Sequence, residues 1–163
     1  MMGSGKSTVG RELAARTGWP FLDNDALVRS LTGRAPEAID AEDGEDALHV
    51  AETTAFRSAI ERPGPAIVAV AGAVVDDDVE RDRIGAAGHV VWLRASAATL
   101  RRRIGDGAGR RADALDEDWL AAKANERESR YRAAAAQVID VDELTTEAIA
   151  SAILDAIGWR SAG

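Results

Sequence analysis

The run "GSGKST" at residues 3–8 constrains this chain more than any other stretch. It is the second half of the pattern G-x-x-x-x-G-K-[ST], whose first glycine would fall one position before Met1. Phosphate oxygens need many hydrogen-bond donors in a small space. Gly3 and Gly5 allow positive φ and close backbone approach. The N–H groups of Gly3, Ser4, Gly5, Lys6, Ser7 and Thr8 can then line a nest at a helix N-terminus, whose dipole favours anions. In such a loop Lys6 reaches the β- and γ-phosphates of a nucleotide, and the Ser7 hydroxyl ligates Mg²⁺. The plainer reading is a Gly-rich turn that ends in Lys-Ser by chance. The helical pattern that follows directly, with Val9, Leu13 and Ala14 on one face, weighs against it. A loop of this kind normally follows a buried strand, and none precedes residue 3 in the sequence as given.

Beyond the loop, apolar strand patterns alternate with helical ones. A helix is expected from Ser7 to Thr17, stopped by Gly18, and a strand in "WPFLDND". Helices follow from Ala26 to Leu31 and from Asp46 to Ile60, with a polar connection between them that has room for a short helix. Pro63, Gly64 and Pro65 introduce "AIVAVAGAVV", which reads as a buried strand. "DDDVERDRI" reads as a helix with an acidic first turn, which suits the helix dipole. "HVVWLRAS" is the next strand and "SAATLRRRI" a helix capped by Ser96. "GDGAGRRADALD" reads as a Gly-rich mobile loop. A long helix from Asp116 to Ala136, the strand "QVIDV" and a helix from Thr145 to Ile157 complete the chain. Four strands alternating with helices argue for an α/β fold, a parallel sheet covered on both faces. Neither an internal repeat nor a linker divides residues 1–163, so one domain is expected.

Composition excludes several functions. Acidic residues outnumber basic ones 28 to 20, a net charge of −8, which argues against broad nucleic-acid binding. No apolar run reaches about 18 residues, so no membrane helix is expected, and the N-terminus has no apolar signal segment. The absence of cysteine removes disulfides and thiolate metal sites. The expected protein is cytoplasmic and monomeric, with a small-molecule substrate. Against the acidic background, Arg101, Arg102, Arg103, Arg110 and Arg111 gather in one region. They form either a solvated helix face, which composition alone favours, or the grip on a small anion.

Asp25 follows Lys6 by nineteen residues, in "FLDNDALV". Then come "EDGEDALHVAE", "VAVAGAVV", a Gly-rich loop with "GRR", and "ERESRYRAAA". This succession resembles the shikimate kinases, small P-loop kinases, over nearly the whole chain. The resemblance implies a three-layer P-loop kinase fold with a parallel sheet of strand order 2-3-1-4-5. It also implies a mobile lid at about residues 105–115 and transfer of the ATP γ-phosphate to a hydroxyl of a small carboxylated polyol, shikimate before others. It assigns Asp23 to the Mg²⁺ shell and Asp25 to the acceptor hydroxyls and their proton. Arg110 clamps the transferring phosphate, Arg103 lies against adenine, and Arg127 grips the acceptor carboxylate. Without the spacing to Lys6, D-N-D would read as an ordinary turn with Asp25 as N-cap, and each arginine as a surface residue.

The pattern departs from the family at several places. Arg111 and Ser129 stand where proline is common. His49 stands where a second carboxylate-binding arginine is usual, and Val70–Ala71–Gly72 replaces three glycines, leaving Gly72 alone on the acceptor wall. Histidine lacks arginine's permanent, bidentate charge, and side chains at 70 and 71 are expected to crowd that wall. A gluconate-kinase-like enzyme and a non-catalytic ATP-binding module therefore stay open as alternatives. The central strand of the 2-3-1-4-5 order is missing from this sequence and is expected upstream of it. A chain beginning at Met1 is expected to show a gap at the sheet centre, a first helix held only by packing, and weak catalysis.

Overall fold

The computed structural model describes residues 2–105 and 116–160. Helix α1 (Lys6–Thr17) leaves the loop, and Gly18 ends it in the left-handed region (φ 74), with its N–H on the Ala14 carbonyl. Strand β1 (Phe21–Asp23) follows, then α2 (Asn24–Thr32), α3 (Pro36–Asp43) and α4 (Glu45–Ile60). The polar connection therefore does hold a helix, started by Pro36 in its first turn and anchored by buried Ile39. Strand β2 (Ile67–Ala69) leads into a 3₁₀ turn (Gly72–Asp76) and α5 (Asp78–Ala87). Strand β3 (Val91–Arg94), α6 (Ala97–Ile104), α7 (Glu117–Ala134), β4 (Gln137–Asp140) and α8 (Thr146–Ala156) complete the order. Ser96 caps α6 as expected, accepting from the Thr99 N–H.

The stretch "AIVAVAGAVV" is strand only over its first part. Asp77 caps α5 through the N–H groups of Val79 and Glu80, so the backbone must leave the sheet before it, through the 3₁₀ turn.

Strand β1 pairs with β2 in parallel, Leu22 opposite Val68, and β3 pairs with β4 in parallel, Trp92 opposite Val138. In the expected order, β1 and β2 are strands 2 and 3, and β3 and β4 are strands 4 and 5. Among the described residues no strand joins the two pairs. The gap expected at the sheet centre is thus present. A cavity of about 370 Å³ lies there, lined by Val68 and Val70 on one side and by Val91 and Leu93 on the other.

What holds the halves together is α1. Val9 and Leu13 share one buried cluster with Leu93, Ile139, Val141, Ile149 and Ile153, and Ile67 of β2 packs against it. The helix is not held by packing alone, contrary to expectation. Arg16 donates to Ser151 Oγ of α8 at 2.8 Å, and Ser7 donates to Asp23 at 2.6 Å. A second cluster, with Phe56, Ala71, Val74 and Tyr131, covers the opposite face. Among the described residues no helix is long and apolar enough to cross a membrane.

Gly10 lets α1 lie against β1. A Cβ there would sit 2.2 Å from the Phe21 ring, which Arg11 covers on another side at 5.9 Å. Gly10→Ala is therefore expected to displace Phe21 and cost about 1–3 kcal/mol. Denaturant unfolding checks this, and Phe21→Leu in the same chain is expected to restore part of the loss.

Candidate functional site

The loop before α1 has the geometry its glycines permit. Gly3 and Gly5 have φ of 73° and 96°, in the left-handed region. A Cβ on Gly3 would lie 3.0 Å from the Leu100 carbonyl oxygen, so the loop rests directly on α6. Ser4 between them is buried. Arg103, from the last turn of α6, donates to the Val141 carbonyl at 2.9 Å and, at the long limit of 3.4 Å, to that of Ser4. It thus ties the loop to the chain just after β4. An N-terminal helix turn, two left-handed glycines and the adjacent Lys6 and Arg103 form a donor set suited to phosphate oxygens.

Beside it lies a set suited to a hard cation. Asp23 ends β1 and caps α2, which brings its carboxylate under the loop. Its Oδ2 accepts from Ser7 Oγ at 2.6 Å, and its Oδ1 accepts from the Asp25 N–H at 3.1 Å. The cap is therefore Asp23 and not Asp25, which leaves the exposed Asp25 carboxylate on the first turn facing the site. A hydroxyl and a carboxylate are the oxygen ligands Mg²⁺ takes from protein when phosphates and water supply the rest. In keeping with that, no group of three or more His, Asp or Glu among the described residues could hold a metal alone.

The opposite wall comes from α4, the 3₁₀ turn and α7. Burial, and then the nearby Asp25 carboxylate, push the Glu52 carboxyl up to about 7, while Arg127 and Lys6 oppose the shift. Lys6, Asp25, Glu52 and Arg127 thus share one electrostatic field, although they come from four separate parts of the chain. Arg127 is held by Asp76, Nη2 to Oδ2 at 2.7 Å, and Arg130 reaches the same carboxylate at 2.9 Å. Gly72 opens the 3₁₀ turn, and its carbonyl accepts from the Tyr131 hydroxyl at 3.1 Å. His49 lies half-exposed on α4, its Nε2 3.6 Å from Glu45 one turn away.

One expectation changes here. Ala71 is buried among Phe56, Val74 and Tyr131, and Val70 packs against the same cluster, so both side chains turn into the core and do not crowd the wall. Glu52 and Asp76 carried no assignment from sequence. Glu52 sits one helical turn after His49, a spacing that puts it on the same face. Asp76 is hidden in three consecutive acids that serve three ends. Asp76 holds arginines, Asp77 caps α5 and Asp78 pairs with Arg81 at 2.6 Å. Arg110, Arg111 and the expected lid lie outside the described residues.

A phosphate loop opening a helix, an acid at the end of the neighbouring parallel strand, and cations on the facing helices define a P-loop small-molecule kinase. The family described as shikimate kinase matches residues 2–158. A shikimate kinase of Symbiobacterium thermophilum is 34% identical over 164 residues, covering 98% of this chain and 94% of that protein. One from Halorhodospira halophila is 32% identical, over 96% of this chain and 89% of that one. The 39% identity to the shikimate kinase of Paramagnetospirillum magneticum is confined to 103 residues, 63% of this chain and 52% of that protein. The solved structure of shikimate kinase from Acinetobacter baumannii in complex with shikimate superposes with a TM-score of 0.88 at 27% identity, covering 96% of this chain and 88% of that one. This chain belongs to the shikimate kinase family, and with the family comes ATP-dependent phosphotransfer.

The raised Glu52 carboxyl has a measurable consequence. Between the ordinary 4.5 and about 7 the folded chain holds a proton that the unfolded chain has released. Stability therefore falls as pH rises through that window. Urea unfolding from pH 4.5 to 8 is expected to show the decline, and Glu52→Gln is expected to flatten it.

Proposed function

We propose that this chain transfers the γ-phosphate of ATP to the 3-hydroxyl of shikimate. The observation that carries the reading is the hydrogen bond between Ser7 and Asp23, which joins the phosphate loop to the strand end bearing the acceptor-side Asp25. Lys6 and the N–H groups from Gly3 to Thr8 bind the β- and γ-phosphates, and Arg103 lies beside them under the adenine. Ser7 and Asp23 hold Mg²⁺, which when bound neutralises charge on the β- and γ-oxygens.

Phosphoryl transfer needs positioning and charge stabilisation more than covalent chemistry. Asp25 orients the acceptor hydroxyl and takes up its proton as the new oxygen–phosphorus bond forms and the bond to the departing ADP breaks. Arg127 holds the acceptor carboxylate, with Gly72 against the ring and His49 at the edge of the pocket. By the family pattern, Arg110 would clamp the transferring phosphate. The enzyme is read as a cytoplasmic monomer.

The test is turnover of shikimate, gluconate and nucleoside monophosphates side by side, by coupled ADP release. Shikimate is expected to be phosphorylated fastest, and a faster alternative acceptor would overturn the reading. Lys6→Ala is expected to lower turnover on the order of 10²–10³-fold without unfolding the chain. Asp25→Asn is expected to lower kcat by about 10²-fold or more while leaving ATP affinity close to that of the unaltered chain. His49→Arg adds a charged, bidentate donor near the acceptor carboxylate and is expected to lower the shikimate KM about tenfold, the worth of one charge-assisted contact.

A further inference from the structure

We propose that Asp76 is the positioning residue for the acceptor side of this site: it fixes the Arg127 guanidinium and locks α7 to the turn that carries Gly72. The inference rests on the reading of Arg127 as the acceptor-carboxylate ligand.

The geometry is specific. Asp76 Oδ2 accepts from Arg127 Nε at 2.9 Å and from Nη2 at 2.7 Å, so the carboxylate takes one whole edge of the guanidinium. The group is planar, and fixing one edge fixes the direction of the remaining donors. Asp76 Oδ1 accepts from Arg130 Nη1 at 2.9 Å. Arg127 and Arg130 are three residues apart and share a face of α7. One carboxylate therefore separates two guanidiniums that would otherwise repel each other at close range. Glu126 also reaches Arg130, at 3.8 Å, so Asp76 and Glu126 together balance the two guanidiniums.

The same contact ties two walls into one unit. Asp76 ends the 3₁₀ turn that Gly72 begins, and Tyr131, on the next turn of α7 after Arg127, donates to the Gly72 carbonyl. Arg127 side-chain exposure is only 13%, so few rotamers remain to it once Asp76 is engaged. Loss of the carboxylate frees the guanidinium edge without touching the phosphate loop, which lies across the site on α1. Asp76 acts through Arg127 and touches no reacting atom.

The kinetic test compares Asp76→Ala and Asp76→Asn with the unaltered enzyme. The expected result is a shikimate KM raised about tenfold in Asp76→Ala and less in Asp76→Asn, with kcat and the ATP KM changed less than about threefold. In an Arg127→Ala background, Asp76→Ala is expected to add nothing further, because the residue it positions is gone. An unchanged shikimate KM, an equal rise in the KM of both substrates, or additive effects with Arg127→Ala would overturn the proposal. A second arm needs no acceptor. The Arg127 Nε–H signal is expected to exchange slowly with water in the unaltered chain and fast in Asp76→Asn, read by guanidinium NMR. Equal exchange in both overturns the proposal even if shikimate proves not to be the acceptor, whereas absent shikimate turnover with the expected NMR change counts only against the functional reading.

Discussion

Helix α1 is the joint on which the rest of the molecule depends. The two strand pairs do not bond to each other among the described residues, so their relative position is set by what both of them pack against. Val9 and Leu13 enter the cluster formed by β3, β4 and α8, and Ile67 from β2 reaches the same cluster. Burying a side chain of this size contributes about 1.5–3 kcal/mol, and Gly10 lets Phe21 of β1 come close from the other side. On the far face, the contact of Trp92 with Tyr131, ring centres 5.5 Å apart, and the bond from Tyr131 to Gly72 link β3 to the segment after β2 through α7.

That arrangement makes the site. The N-terminus of α1 emerges between the two pairs, at the ends of the parallel strands, where open α/β sheets place their ligand crevices. The helix that ties the halves together thus also presents the glycine loop at the mouth of that crevice. Each strand end then adds something to the crevice. The end of β1 contributes Asp23 and Asp25, and the turn after β2 contributes Gly72 and Asp76. The chain just after β4 receives Arg103 through the Val141 carbonyl. An acidic protein therefore gathers Lys6, Arg103, Arg127 and Arg130 around one crevice, where Asp76 orients Arg127 and Arg130.

Membership of the shikimate kinase family does not make the acceptor side ordinary. His49 stands where the family pattern has arginine, and it pairs with Glu45 on the surface of α4. Glu52, on the same helix, lies in a partly dry corner near Asp25, and burial and then that carboxylate raise its pKa against the pull of Arg127. Arg127, in contrast, is largely buried and held by Asp76.

The sequence by itself determined the loop, the alternation of strands and helices, the caps at Ser96 and Gly18, and the relation of Lys6 to the D-N-D acids. The loop and caps are local, set by backbone conformations that only certain residues allow, whereas the Lys6-to-acid spacing spans α1 and β1 and is legible only through the family resemblance. Only the tertiary structure decided which of three adjacent aspartates meets Arg127, and that Val70 and Ala71 face the core. It alone also showed that Glu52 shares a field with Lys6. Each of those depends on the distance between elements far apart in sequence, and an electrostatic or packing energy is a function of that distance, which no local pattern of residues encodes.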